Sequence, residues 1–143
     1  MTRKAPKTKS RAWYLLIDSS RRDHLTLKLF SAADVKIFSG SIKTHSIIEI
    51  LDTFLKLKLA LARIRGIAVV HGPGSFSALR SGMIISQLMA RYYDIPIMGV
   101  SADAASDLRG LIKRFQKLKS DAPRRMLKPQ YGKLPNITVP HHA

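Results

Sequence analysis

A chain of 143 residues, 45% hydrophobic, has material for one domain with a real core and too little for two of ordinary size. Its formal net charge is +16, concentrated at the ends: residues 1–11 hold five basic side chains and no acid, and residues 109–133 hold nine against Asp121 alone. With no cysteine, a disulfide framework, a thiol nucleophile and a zinc ribbon are excluded, which fits a reducing, cytoplasmic compartment.

The basic N-terminal segment, residues 1–11, is not followed by the uninterrupted apolar region of a signal peptide. No apolar run approaches the ~20 residues of a spanning helix. Polybasic ends are drawn to phosphate-rich partners by counterion release, and they read equally as solvated tails that aid solubility.

Ala12 to Ile17, AWYLLI, is a continuous apolar run of the kind that forms a strand buried on both faces, and is expected to be the central strand. Asp18 ends it where α/β folds place functional carboxylates. Its neighbours Ser19, Ser20, Arg21 and Arg22 lack the glycine of a phosphate-binding turn, so a capping or salt-bridging Asp is expected. Leu25, Leu27 and Leu29, then Val35 and Ile37, alternate with more polar positions, predicting two further strands joined by short links as antiparallel neighbours.

Ser46 and Glu49 have capping-box spacing, and Ile47, Ile50, Leu51, Phe54, Leu55 and Leu61 recur at helical intervals toward Arg63. Ile67 to Val70 reads as a short buried strand, Ser75 to Tyr93 as a long helix, Ile95 to Val100 as a third buried strand and Ala102 to Lys119 as one helix. The class is α/β: a mixed five-stranded sheet with three helices, its later strands parallel and joined by right-handed crossovers. Residues 12–119 form the expected lobe, flanked by a basic tail over 1–11 and a basic, proline-containing tail over 120–143.

The turn His71-Gly72-Pro73-Gly74 launches the long helix, with Ser75 as cap and Phe76 in its first turn. Its glycines permit close backbone approach, and exposed amides with Arg80 could complete an anion site; a plain strand-to-helix turn explains the same residues. It is not a Walker A loop, and GxSxG is absent. His24, His45, His71, His141 and His142 show no HEXXH pair or i, i+4 ligand spacing, so no metal site is expected.

Along the long helix, Ala78, Gly82 and Ser86 form a ridge of small side chains. Phe76, Leu79, Met83 and Ala90 form one adjoining stripe and Ile84, Leu88 and Tyr92 another. Only Arg80, Gln87 and Arg91, with nearby serines, mark a polar side. The helix is thus more apolar than covering a sheet requires, and either a partner or the chain's own first helix could meet the ridge.

The run HGPGSFSALRSGMIISQLMARYYDIPIMGVSAD, preceded by YLLIDSS, closely resembles the TsaB (YeaZ) family of tRNA threonylcarbamoyladenosine biosynthesis proteins, over roughly Trp13 to Leu108. The family's GPGSFTGLR and IP-x-x-GVS coincide here at Gly72 to Phe76, Leu79, Arg80, Ile95, Pro96, Gly99, Val100 and Ser101. Ser77 replaces a threonine and Ala78 a glycine. The resemblance implies one lobe of ribonuclease-H-like, actin-like architecture in a minimal form.

It further implies a non-catalytic scaffold that binds TsaD, the subunit transferring threonylcarbamoyl to the adenosine beside the anticodon in tRNAs reading ANN codons, with the ATPase TsaE commonly joining. In the family the first two helices pack against their TsaD counterparts. That places the expected contact at Ala78, Gly82, Ile85, Ser86 and Met89, flanked by Ile50 and Phe54. No cofactor is expected on this chain alone, and any adenine nucleotide would bind at a joint site with the partner. Contact with tRNA is expected indirectly or through the basic tails, and no membrane partner is expected.

Three alternatives remain at this level: an actin-like nucleotide-binding enzyme using Asp18 and the Gly72 to Ser75 turn, a peptidase, and a free-standing basic RNA-binding protein. The peptidase would need the metal-binding histidine pair of TsaD relatives, which this chain lacks. Whether the free chain pairs with itself through the same apolar helices is open at this level, as is TsaE binding.

Overall fold

β1 (Trp13–Asp18) is buried along its middle because it has a layer of side chains on each face. In the computed structural model, which describes residues 12–42, 47–58, 64–74 and 76–118, its odd and even positions divide between two cores. Leu15 and Ile17 join one apolar cluster, while Tyr14 and Leu16 join the other. That is the period-two geometry of a strand acting on a sheet covered on both sides.

β2 (His24–Phe30) and β3 (Val35–Ser41) follow as antiparallel neighbours, and β4 (Ile64–Gly72) and β5 (Ile97–Ser101) lie parallel to β1 on its other side. The order β3-β2-β1-β4-β5 makes β1 central, as its continuous apolar run predicts. β2 turns Leu25, Leu27 and Leu29 into the first core. His24, Thr26 and Lys28 lie on its wetter face, where His24 Nε2 and Ser39 Oγ are 2.8 Å apart.

α1 (Ile47–Lys58) and α2 (Phe76–Tyr93) cover the first core through Ile47, Leu51, Phe54 and Leu55, and through Met83 and Ala90. The expected cap Ser46 and the continuation of α1 toward Leu61 and Arg63 lie outside the described residues, as do both expected tails. α2 stops in a Schellman arrangement. Ile95 N donates to Ala90 O at 2.9 Å and Asp94 N to Arg91 O at 3.3 Å, with Asp94 in the left-handed region at φ 55°.

The single helix expected over Ala102 to Lys119 is two: α3 (Ala102–Ala105) and α4 (Leu108–Lys117), which raises the described helices to four. Two strong caps cause the break. Ser101 Oγ accepts from Ala104 N at 3.1 Å, and Asp107, with non-helical backbone, accepts from Gly110 N at 3.0 Å.

α4 then seals the second core. Phe115 stacks on Tyr14 with ring centroids 4.7 Å apart, and its ring lies so close to Gly66 that a Cβ there would stand 2.5 Å from it. Phe115→Ala empties this layer, and a loss of about 3–5 kcal/mol in urea unfolding is expected. A loss under ~1 kcal/mol would mean that α4 does not close the core.

Candidate functional site

The parallel strands β1, β4 and β5 end on one edge of the sheet, and that edge gathers the residues of the predicted loop. Asp18 Oδ1 accepts from both Ser20 N (2.9 Å) and Ser20 Oγ (2.6 Å), so the carboxylate caps its own turn, one of the uses expected of it. The turn after β4 packs directly against it: a Cβ on Gly74 would stand 2.6 Å from the Ser20 carbonyl oxygen. Gly72 has φ 136°, a conformation that side-chain-bearing residues rarely adopt, and the Gly72–Pro73 peptide is cis.

His71 lies over Gly99, and its buried Nδ1 has no hydrogen-bond partner among the described residues. Pro73 and Arg80 are exposed. Ser75 is outside the described residues, as are the side chains of Phe76 and Ala78. Among the described residues no group of three or more His, Cys, Asp or Glu converges. What this junction does physically is fix the start of α2 against the end of β1.

The small-residue ridge of α2 takes part in that fixing. Gly82 sits against the fully buried Ser19, whose Cβ would be 3.0 Å from a Cβ at position 82 and whose Oγ would be closer still. Ser86 is fully buried as well, its hydroxyl donating to Gly82 O at 2.6 Å. The close approach that the ridge permits is therefore made to the chain's own central strand.

Of the other expected contact residues, Phe54 is buried in the first core, and Ile50, Ile85 and Met89 are half-buried at its margin. The outward face of α2 carries Ile84 (50% exposed), Leu88 (62%) and Tyr92 (81%) at i, i+4 and i+8. Ile48 of α1 is 62% exposed. Tyr92 and Tyr93 meet edge to face, 4.8 Å between centroids, and line a shallow apolar groove with Leu88, Met89 and Arg91. Ile48 and Tyr93 are not among the expected contact residues, because helical spacing alone does not say which apolar positions are left uncovered: Ile48 stands three before the buried Leu51 and Tyr93 three after the buried Ala90.

With this geometry in view, comparison with known proteins assigns the family. A family model described as TsaD: tRNA N6-adenosine threonylcarbamoyltransferase matches residues 43–142. The chain belongs to this family. Over 49 residues it is 43% identical to the tRNA N6-adenosine threonylcarbamoyltransferase of Syntrophotalea carbinolica (strain DSM 2380 / NBRC 103641 / GraBd1), covering 34% of this chain and 14% of that protein.

Two solved structures from Pseudomonas aeruginosa share the fold. One, described as YeaZ, has TM-score 0.59 and 21% identity over 72% of this chain and 50% of that one. The other, an uncharacterized protein with similarity to peptidase YEAZ, has TM-score 0.57 and 22% identity over 63% of this chain and 43% of that one. The chain thus spans half or less of the YeaZ structures, and a small part of the curated transferase. Its sheet matches the ribonuclease-H-like lobe of YeaZ, and its family is one of threonylcarbamoyladenosine modification of tRNA. Among the described residues no helix is long and apolar enough to cross a membrane.

Proposed function

We propose that this chain is a non-catalytic scaffold subunit that binds TsaD and supports transfer of threonylcarbamoyl to the adenosine next to the anticodon. The observation that carries the reading is the exposed apolar stripe Ile84, Leu88 and Tyr92 on α2. Three large apolar side chains in one row on a helix that already covers its own sheet are surface in excess of what the fold uses. Aromatic and aliphatic anchors of this kind form the buried centre of protein interfaces.

The contact set differs from the sequence expectation: Phe54 is buried in the first core, and the side chain of Ala78 lies outside the described residues. Gly82 and Ser86 act from inside, holding α2 at its angle, while Ile84, Leu88 and Tyr92 form the docking face and Ile50, Ile85 and Met89 its margin. One feature supports a supporting rather than a chemical role: Asp18 Oδ1 caps its own turn.

Co-expression with TsaD and size-exclusion chromatography test the reading. Co-elution of the two chains at constant ratio is expected, with TsaE joining and any adenine nucleotide held only by the complex. Separate elution of the two at micromolar concentration would contradict it. Self-association of the free chain that TsaD disperses agrees with the same face serving both.

A further inference from the structure

α4 divides its residues sharply. Leu111, Ile112 and Phe115 are buried in the second core, and Leu108 packs against it. The charged residues on the outer side are all cations, Arg109, Lys113, Arg114 and Lys117, and all are exposed. Arg109, Lys113 and Lys117 recur at i, i+4 and i+8, forming one row about 12 Å long at ~1.5 Å per residue.

Helix physics does not account for this row. Arg114 and Lys117 stand in the last turn, where cations complement the helix dipole. Arg109 and Lys113 do not, and like charges at i, i+4 disfavour a helix. α1 shows the ordinary solution, Asp52 paired with Lys56 at 3.2 Å. α4 contains no acid; Asp103 and Asp107 precede its first turn, and Asp107 Oδ1 caps Gly110 N.

A further cation stands near Tyr14. Trp13 pairs with Ile64 but Tyr14 with Gly66, so Arg65 is the extra residue of a bulge, released from strand alternation and exposed. Burial pushes the Tyr14 phenol pKa up, and the nearby Arg65 charge opposes this. Tyr14 is the ring on which Phe115 of α4 stacks.

We infer that the outer face of α4, with Arg65, is a docking surface for the sugar-phosphate backbone of a folded tRNA. It lies on the opposite face of the sheet from the α1–α2 stripe. The choice of RNA rests on the family to which the chain belongs and not on the docking of α2, so the two proposals fail separately. A lipid surface fits worse: a helix that lies on a membrane shows apolar residues beside its cations, and those of α4 are turned inward. Phosphate contacts position an RNA without reading its sequence, so binding should be tolerant of sequence and steeply weakened by salt.

Fluorescence anisotropy of the full chain with an unmodified transcript of an ANN-reading tRNA, repeated across a salt series, tests this. Arg109→Gln/Lys113→Gln/Lys117→Gln, which keeps good helix formers, should raise Kd at least tenfold at about 0.1 M salt. It should also flatten the log–log salt slope by about two to three, at ~0.9 for each phosphate no longer neutralised. Its melting temperature and its co-elution with TsaD should be unchanged.

Lys4→Gln/Lys7→Gln/Lys9→Gln removes equal charge elsewhere and should cost less. Unchanged Kd and slope in the α4 variant would overturn the inference, as would an equal loss in both variants, which would reduce the effect to net charge. Phosphatidylserine vesicles provide the remaining arm. Vesicle binding that depends on α4, with tRNA binding that does not, would assign the surface to a membrane and overturn it too.

Discussion

Ile84→Asp/Leu88→Asp is expected to abolish co-elution with TsaD, weakening the complex by at least a hundredfold, while the chain keeps its melting temperature to within a few degrees. Both side chains are half or more exposed, so the folded state loses little when they become polar. In a docked complex the same positions would be enclosed, and each aspartate would bring an uncompensated charge into an apolar contact. Single truncations at the centre of an interface commonly cost about 2 kcal/mol or more, so two charges side by side make a large effect a modest expectation. Tyr92→Ala should follow in the same direction with a smaller loss. Pull-down at graded salt separates this from electrostatics, since an apolar interface weakens little as salt rises.

Gly82→Leu is expected to fail differently, by unfolding the lobe rather than by releasing a partner. Its side chain would be driven into Ser19, which is fully buried beside the end of β1. Overpacking at a rigid helix–strand contact costs about 1–3 kcal/mol, and the four-carbon side chain of leucine places this variant at the upper end or beyond. Gly82→Ala isolates the cause. Its added methyl meets Ser19 at 3.0 Å or less, and Ser19→Gly supplies the missing space. The double variant should therefore be more stable than the sum of the two single losses predicts, with a coupling of about 1 kcal/mol or more in urea unfolding. Additive losses would mean that Gly82 does not meet Ser19.

The contrast between these two variants shows where sequence reasoning stops. β1 is legible as a central strand because AWYLLI is apolar without alternation, and β2 is legible as half-covered because Leu25, Leu27 and Leu29 alternate with Thr26, Lys28 and Phe30. The turn at Gly72 to Gly74 is legible as a place of close approach. What periodicity does not carry is the direction of that approach. A ridge of Ala78, Gly82 and Ser86 admits any second backbone, and only the register of α2 over β1 shows that Ser19 takes the space. The small pair Ser19-Ser20 directly after β1 was the available signal.

Local chemistry outweighed pattern at the end of the fold. Leu108, Leu111, Ile112 and Phe115 extend a helical period back through Ala105, yet Asp107 withdraws from the helix to cap Gly110. Arg65 escapes a sequence reading for a different reason. A bulge is a property of two paired strands, and nothing in IRGIAVV alone says that Tyr14 will pair with Gly66. The expected capping box at Ser46 and the tail segments lie outside the described residues.

Reconstituted tRNA modification decides whether this chain supports a transferase or acts as one. TsaD, TsaE and the threonylcarbamoyl-adenylate synthase are combined with unmodified tRNA, with and without this chain, and threonylcarbamoyladenosine is measured by mass spectrometry of the nucleosides. Strong modification is expected only when both TsaD and this chain are present, and none from this chain with the synthase alone. Modification without TsaD, or a yield that ignores the addition of this chain, would contradict the supporting role.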